Sequence, residues 1–340
     1  MNSFGHNFRL TIFGESHGPV IGVVIDGVPA GIPLCISDFE GDLARRRSGT
    51  AGTTPRTESD TPEIVSGLLD GHTTGAPLAI LFRNENTRSS DYSQFRTQPR
   101  PGHADRVAEV KFGGHNDLRG GGHFSGRLTL ALVAAGVVAK KVIAPNEGCG
   151  PHPKATIVEL GGSTVSAEWP AIIATATAEG DSVGGIIECR TEGMPTGIGE
   201  PFFDSLESVI AHLAFAIPGV RGVEFGDGFG SARMRGSEHN DLIINAEGTT
   251  ATNGAGGING GISNGNPLVF RLAVKPTSSI AREQQTYNFA TGQVEPLRIG
   301  GRHDVCIALR AAVVVEAIAA IALAELMRKG IENGKLKMEN

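Results

Sequence analysis

Residues 311–326 read AAVVVEAIAAIALAEL, and residues 131–139 read ALVAAGVVA. Both stretches are alanine-rich, and their Val, Ile and Leu side chains fall on more than one helical face. A helix at the protein surface carries one apolar stripe, whereas a helix apolar all round is buried between other layers or in a subunit interface. The 311–326 stretch is broken by Glu316 and Glu325 and is too short for a bilayer, which takes about 20 apolar residues. Two such helices in one chain imply a layered fold with helices inside.

The flanking residues set the expected limits. The last helix is predicted over about Cys306 to Lys329. The earlier one has Ser125 as a candidate cap and runs through Leu128, Leu132, Ala135 and Val138 to Lys140-Lys141, charges that suit a helix C-terminus. Ser37-Asp38-Phe39-Glu40 has capping-box form and opens a helix through about Arg46. Asp204 or Ser205 opens another, with Leu206, Val209, Ile210, Leu213 and Ile217 on one face and Pro218-Gly219 as its stop. Strand-like runs are short: Phe8 to Phe13, Val20 to Asp26, Pro77 to Arg83, Gly185 to Arg190 and Pro267 to Val274. They do not alternate with helices regularly enough for a doubly wound parallel sheet. The expectation is an α+β fold, long helices between mostly antiparallel sheets, as one domain over residues 1–340.

Composition narrows the partners. The chain has 340 residues, 40% hydrophobic and 19% charged, with a formal net charge of −6. A packed core is expected, and nucleic acid is not the main partner. Of the 30 basic residues 22 are Arg and 8 are Lys. Arg is preferred where a planar fork must grip carboxylate or phosphate, and here it clusters in glycine-rich loops. Cys35, Cys149, Cys189 and Cys306 form no CxxC pair, so neither a zinc knuckle nor a disulfide framework is indicated. Residues Met1 to His6 lack the plan of a signal peptide. A soluble cytoplasmic protein, with no membrane partner, is expected.

Four loops carry proton carriers beside fixed cations: Gly14-Glu15-Ser16-His17-Gly18, Arg100-Pro101-Gly102-His103-Ala104-Asp105, Arg119-Gly120-Gly121-Gly122-His123 and Gly301-Arg302-His303-Asp304. Histidine titrates near neutral pH. Arg100 and His103, three apart around a Pro-Gly turn, can face one anion, with Asp105 near enough to orient the imidazole. Asp304 stands at the threshold of the last helix. Lys275-Pro276-Thr277-Ser278-Ser279 offers one ammonium and three hydroxyls. No P-loop and no dinucleotide fingerprint is present. Together the loops suit acid–base work on a phosphorylated, carboxylated substrate.

These segments resemble chorismate synthase. The matching pieces are FGESHG (13–18), DGVPAGIPL (26–34), RRRSGT (45–50), RPGHAD (100–105), RGGGHFSGRLT (119–129), GVEFGDGF (222–229), GGINGGISNG (256–265), KPTSSI (275–280) and GRHDVC (301–306), in family order. The resemblance implies a homotetramer of β-α-β sandwiches that converts 5-enolpyruvylshikimate 3-phosphate to chorismate by anti 1,4-elimination, using reduced FMN without net redox change. It implies that His103 serves the leaving phosphate, that His17 lies by the flavin, and that Asp304 belongs to the proton path at the flavin. Arg46, Arg100, Arg127 and Arg302 would hold substrate anions, Arg302 also bordering the flavin. His123, Phe124, Ser125, Gly260, Lys275, Pro276, Thr277, Ser278 and Ser279 would surround FMN. With no room for a built-in reductase, an external flavin reductase or other reductant is implied.

The chain departs from the family pattern at His123-Phe124, where Arg-Ser is common, at Gly52, where an arginine is common, at Pro218-Gly219 and at Val305. His123 is the candidate to replace the missing arginine. A reading of another class takes His103 with Asp105, His303 with Asp304, and His239-Asn240-Asp241 as ligands of a metal-dependent phosphohydrolase. A third takes the chain as a flavin-binding protein without turnover.

Overall fold

The computed structural model describes residues 1–55, 58–86, 89–144, 150–301 and 303–327. Cys149, Arg302 and Lys329 lie outside the described residues.

The first sheet is built from β1 (Ser3–Phe4), β2 (Arg9–Gly14), β3 (Val20–Asp26), β4 (Glu63–Ser66) and β7 (Leu78–Arg83), with the ribbon β5 (Leu68–Leu69) and β6 (His72–Thr73) beside it. Its order is β1-β2-β3-β7-β4. The second sheet takes β8 (His152–Leu160), β9 (Gly185–Glu192), β10 (Val220–Phe225) and β13 (Leu268–Val274) in the order β10-β13-β9-β8. Two further ribbons pair β11 (Ile258–Asn259) with β12 (Ile262–Ser263) and β14 (Gln284–Asn288) with β15 (Gln293–Leu297). Every pairing between these strands is antiparallel.

Side chains alternate across each strand, so one face of each sheet is apolar. Ile21, Val23 and Ile25 stand opposite Phe82, Ile80 and Leu78, and all six are 0% exposed. In the second sheet Ile187 and Cys189 face Leu272 and Phe270, equally buried. Each such aliphatic or aromatic side chain contributes roughly 1.5–3 kcal/mol on burial.

Helices α1 (Ser37–Arg46), α2 (Asp105–Lys111), α3 (Thr129–Ile143), α4 (Trp169–Ala178), α5 (Leu206–Ala214), the single turn α6 (Gly236–His239) and α7 (Ala308–Met327) complete the fold. α3 packs on β3 of the first sheet, α7 packs on β8 and β9 of the second, and α3 and α7 pack on each other. The long helices therefore lie between two antiparallel sheets, as expected from their all-round apolar character. Nearly every residue of α3 and α7 is buried.

The two carboxylates inside α7 are answered by partners far away in sequence. Glu316 takes both Arg45 guanidinium nitrogens at 2.6 Å, the Ala155 N–H at 2.9 Å and Lys140 Nζ at 3.4 Å. Burial alone would raise its pKa, but the Arg45 bond and the Ala155 N–H hold it below the ordinary carboxylate value. Glu325 accepts the backbone N–H groups of His6, Asn7 and Phe8 at 2.7–2.9 Å, pinning the N-terminal segment to the helix.

Three expected limits move. Ser37 does not cap α1; instead Asp38 Oδ2 accepts the Cys35 N–H at 2.7 Å, because the helix begins one residue earlier than the capping pattern assumes. Ser205 caps α5 by accepting the Ser208 N–H, but α5 ends at Ala214, and tight turns to Ile217 carry the chain to Pro218. The last helix starts at Ala308 rather than Cys306. Ser125 does accept the Arg127 N–H at 3.3 Å, opening a 3-10 turn at Gly126–Leu128 that leads into α3.

Candidate active site

Loops and helix ends from the whole length of the chain converge on a cavity of about 630 Å³. A volume of this order holds a ligand of cofactor size.

One wall comes from the loop after β2. His17 is 8% exposed, and its ring meets Tyr92 edge to face, 5.2 Å between centroids at 90°. On its other side runs the triple-glycine turn, with φ of +61°, +82° and +54° at Gly120, Gly121 and Gly122. A Cβ at Gly120 would lie 2.5 Å from His17 Cδ2 and 2.7 Å from Ser16 Oγ, so only glycine fits. The Ser16 N–H donates to the Gly122 carbonyl at 3.1 Å, fastening the two loops together.

A second wall is the loop leading into α2. The Asp105 carboxylate accepts Arg100 Nε at 2.8 Å, Arg100 Nη2 at 2.7 Å and the Arg100 backbone N–H at 3.1 Å. His103 Nδ1 lies 2.7 Å from Asp105 Oδ1. Burial works to raise the Asp105 pKa, but hydrogen bonds from Arg100 and His103 hold it far below the ordinary value. Arg100 Nη1 donates to Ser279 Oγ at 3.0 Å, and its guanidinium lies over Phe95, 4.4 Å from the ring centroid. Lys275 Nζ donates to the Gly102 carbonyl at 2.6 Å and contacts Ser278 Oγ at 2.8 Å. Burial, then the charge of Arg221, lowers the Lys275 pKa. The 100–105 and 275–279 loops are thus stapled together.

A third wall joins α1 to α3. Arg46 is 2% exposed. It donates Nε to Thr129 Oγ1 at 3.0 Å and Nη2 to the Gly126 and Arg127 carbonyls at 3.1 Å, with Nη1 3.5 Å from Asp60. Burial, with the charges of Arg310 and Arg127, lowers its pKa to about 9. Arg127 donates Nε to Asn84 at 2.6 Å and Nη1 to Asp60 at 2.8 Å. Among the described residues its Nη2 is buried without a hydrogen-bond partner, in an ion pair 4.0 Å from Glu58, and Thr277 Oγ1 is likewise buried without a hydrogen-bond partner. Asp60, which serves both arginines, has φ of +50° and is 3% exposed. A non-glycine residue held in that region stores strain that packing must offset, and such strain concentrates at functional sites.

The fourth wall is the start of α7. Asp304 Oδ1 accepts the Thr54 N–H at 2.8 Å, and Arg310 Nη1 contacts both carboxylate oxygens at 3.1 and 3.2 Å. Burial, helped by the Arg100 charge, lowers the His303 pKa to about 4, so this ring is neutral at pH 7.

The comparisons with known proteins agree with one another. The family model for chorismate synthase matches residues 8–327. A chorismate synthase of Chitinophaga pinensis is 60% identical over 327 residues, covering 96% of each chain. One from Dehalococcoides mccartyi is 46% identical over 358 residues, covering 97% of this chain and 98% of its own. The chain belongs to the chorismate synthase family. It is a lyase of the chorismate-forming step of the shikimate pathway. A chorismate synthase crystal structure has the same architecture, with a TM-score of 0.73 and 25% identity over 96% of this chain and 93% of that one.

Most residues singled out in the sequence meet at this cavity. His17, His103 and Asp304 line it together, as do Arg46, Arg100 and Arg127. So do His123, Phe124 and Ser125 and, across from them, Lys275, Thr277, Ser278 and Ser279. Pro276 and Gly260 are not among the lining residues; Gly260 lies between β11 and β12 with nothing near its Cβ direction. Arg302 is outside the described residues. His123 directs Nδ1 at the Gly14 carbonyl, 2.7 Å, and Nε2 at Asn2 Oδ1, 3.2 Å, so its ring ties the cavity wall to the N-terminal loop. At Gly52 a Cβ would lie 2.8 Å from Ile173, a packed position with no room for a longer side chain.

Asp60, Tyr92 and Arg310 were not legible as site residues. Asp60 reaches Arg46 and Arg127 across 14 and 67 residues, and Arg310 resembles any charge in a helical turn. Among the described residues no group of three or more His, Cys, Asp or Glu is placed to hold a metal. His239 pairs with Asp227, while Asp241 takes Thr252 and two backbone N–H groups. No helix of the described residues is long and apolar enough to cross a membrane.

Proposed function

We propose that the chain converts 5-enolpyruvylshikimate 3-phosphate to chorismate and phosphate by anti 1,4-elimination, with reduced FMN held in the cavity and no net redox change. The observation that carries this reading is the convergence of His17, His103 and Asp304 on one cavity walled by arginines. The donor set fits an anionic flavin and a phosphorylated diacid. Arg127 Nη2 and Thr277 Oγ1 are buried donors still unspent, and a phosphate carries about −1.5 to −2 charges near pH 7. When bound, reduced FMN supplies electron density to the allylic system as its C–O bond breaks.

In this reading the protein's own groups bind, orient and move protons. His103, turned by Asp105 through Nδ1, offers Nε2 to the departing phosphate oxygen. His17, fixed between Tyr92 and Gly120, borders the flavin ring and balances its charge. Asp304 stands on the proton path at the flavin. Arg127, Lys275 and the 277–279 hydroxyls hold phosphate and carboxylates, and Ser125, His123 and Phe124 flank the flavin. We further infer a cytoplasmic homotetramer that draws its reduced flavin from an external reductase. Large side chains left exposed in one chain, Phe202 at 85%, Phe203 at 93% and Phe229 at 78%, support association.

Under anaerobic conditions phosphate release should require reduced FMN and survive chelators; equal release without flavin removes the reading. His103→Ala should lower turnover far more than FMN affinity, and unchanged turnover refutes its assigned role.

A further inference from the structure

Arg310 occupies the first turn of α7 and faces the cavity, and none of the roles assigned above uses it. Its Nη1 lies 3.1 Å from Asp304 Oδ1 and 3.2 Å from Oδ2. Its Nε donates to the Arg46 backbone carbonyl at 2.9 Å. One planar guanidinium therefore joins the carboxylate before α7 to the last residue of α1. A guanidinium is rigid and always charged, so a group held on one edge inherits the position of whatever is held on the other.

We propose that Arg310 is a positioning residue: it fixes the rotamer of Asp304 and locks that carboxylate to the α1 terminus. Among the described residues, Asp304 Oδ1 takes both Arg310 Nη1 and the Thr54 N–H, whereas Oδ2 takes the 3.2 Å contact from Arg310 alone. Oδ2 is thus the oxygen available to a proton, and Arg310 decides where it points. Both side chains are 20% exposed. The pair's effect falls on alignment, where a displacement on the order of 1 Å can cost about 10²-fold in rate, and thermal midpoints keep it apart from any effect on stability.

This inference rests on the role given to Asp304 above, and the test separates the two. Chorismate formation is measured anaerobically with saturating reduced FMN for Arg310→Gln, Arg310→Lys, Asp304→Asn and the Arg310→Gln/Asp304→Asn double variant, each with its thermal midpoint. Arg310→Gln should lower kcat about 10- to 100-fold while KM changes by less than about threefold, the pattern of a lost transition-state interaction. Arg310→Lys, which keeps a cation beside Asp304, should recover part of the loss. The double variant should be no slower than Asp304→Asn alone, because coupled residues are not additive. A kcat for Arg310→Gln within twofold of the native enzyme, or losses that multiply in the double variant, overturns the proposal while leaving Asp304 in place. A native kcat for Asp304→Asn overturns the role of Asp304 and this inference with it. Should Arg310→Gln fail to fold, the same cycle with Arg310→Met, which also removes the cation, is judged by the same criteria.

Discussion

Nδ1 of His103 lies 2.7 Å from Oδ1 of Asp105, and the same oxygen takes Arg100 Nη2 at 2.7 Å. An ionised carboxylate only accepts, so the ring nitrogen facing it carries the hydrogen and Nε2 is left for the cavity. Arg100 holds Asp105 in two side-chain hydrogen bonds, and its Nη2 also lies 3.1 Å from His103 Nδ1, so its charge stands beside both the carboxylate and the imidazole at the cavity wall.

Asp105→Asn should therefore lower kcat by roughly 10²-fold, the lower end of what a positioned proton carrier contributes, with FMN affinity within about threefold of native. Stopped-flow chorismate formation and flavin titration measure the two. A variant that folds and turns over within threefold of native would show that His103 does not depend on this partner.

Arg46 and Arg127 both looked like open substrate cations, and the structure separates them. Arg46 spends its donors on Thr129, Gly126, Arg127 and Asp60, whereas Arg127 keeps Nη2 unspent. Arg46→Lys should lose stability, on the order of 1–3 kcal/mol for acceptors left buried without donors. Arg127→Lys keeps a cation for Asp60 but loses the second donor edge, so KM for substrate should rise about tenfold, roughly 1.4 kcal/mol. Urea melts and steady-state kinetics on both variants check this; a reversed pattern would return Arg46 to the ligand.

The layered fold was legible because 131–139 and 311–326 have no polar face, and buried helices need none. What sequence could not reveal is how the charges inside those helices are answered. Glu316 finds Arg45 across 271 residues and Glu325 finds the Phe8 N–H across 317. The cavity's titrating wall was legible where residue type alone announces chemistry, since His17, His103 and Asp304 were singled out and all line it. It was opaque where function depends on pairing: Asp60 and Arg310 are ordinary letters until the fold brings their partners to them. Arg46 and Arg100 line the cavity as their loops suggested, but clustering in glycine-rich loops says nothing about how many of their donors the protein itself uses.

His303 gives the ligand-free protein a definite pH dependence. Burial, then the Arg100 charge, lowers its pKa to about 4, against about 6.5 for an unfolded histidine. Between those values the unfolded chain binds the proton and the folded one resists it. The native state is therefore favoured fully above about pH 6.5 and loses stability as pH falls toward 4. Replacing His303 with Gln removes the titrating group, so its urea midpoint should fall less between pH 7 and pH 4.5 than that of the native protein. Superimposable pH curves for the two proteins would refute the assignment.

Two helical glycines should respond to alanine with opposite signs. Gly41 is exposed within α1, and a Cβ there meets nothing within 4 Å. Alanine gains about 0.5–1 kcal/mol in a helix interior by restricting the unfolded chain, so Gly41→Ala should raise the urea midpoint. Gly136 lies where α3 crosses α7, and its added Cβ would stand 2.3 Å from Ala317 Cβ and 2.6 Å from Ala317 Cα. The same helix preference applies, yet both contacts are rigid, one of them backbone, and cannot swing aside. Forcing the helices apart disturbs packing along both buried faces, and overpacking costs about 1–3 kcal/mol or more. Gly136→Ala should therefore lower the midpoint despite its better propensity, and Ala317→Gly should restore part of the loss in the double variant by vacating the contact. If both alanine variants are stabilised alike, α3 and α7 do not approach as closely as the layered fold requires.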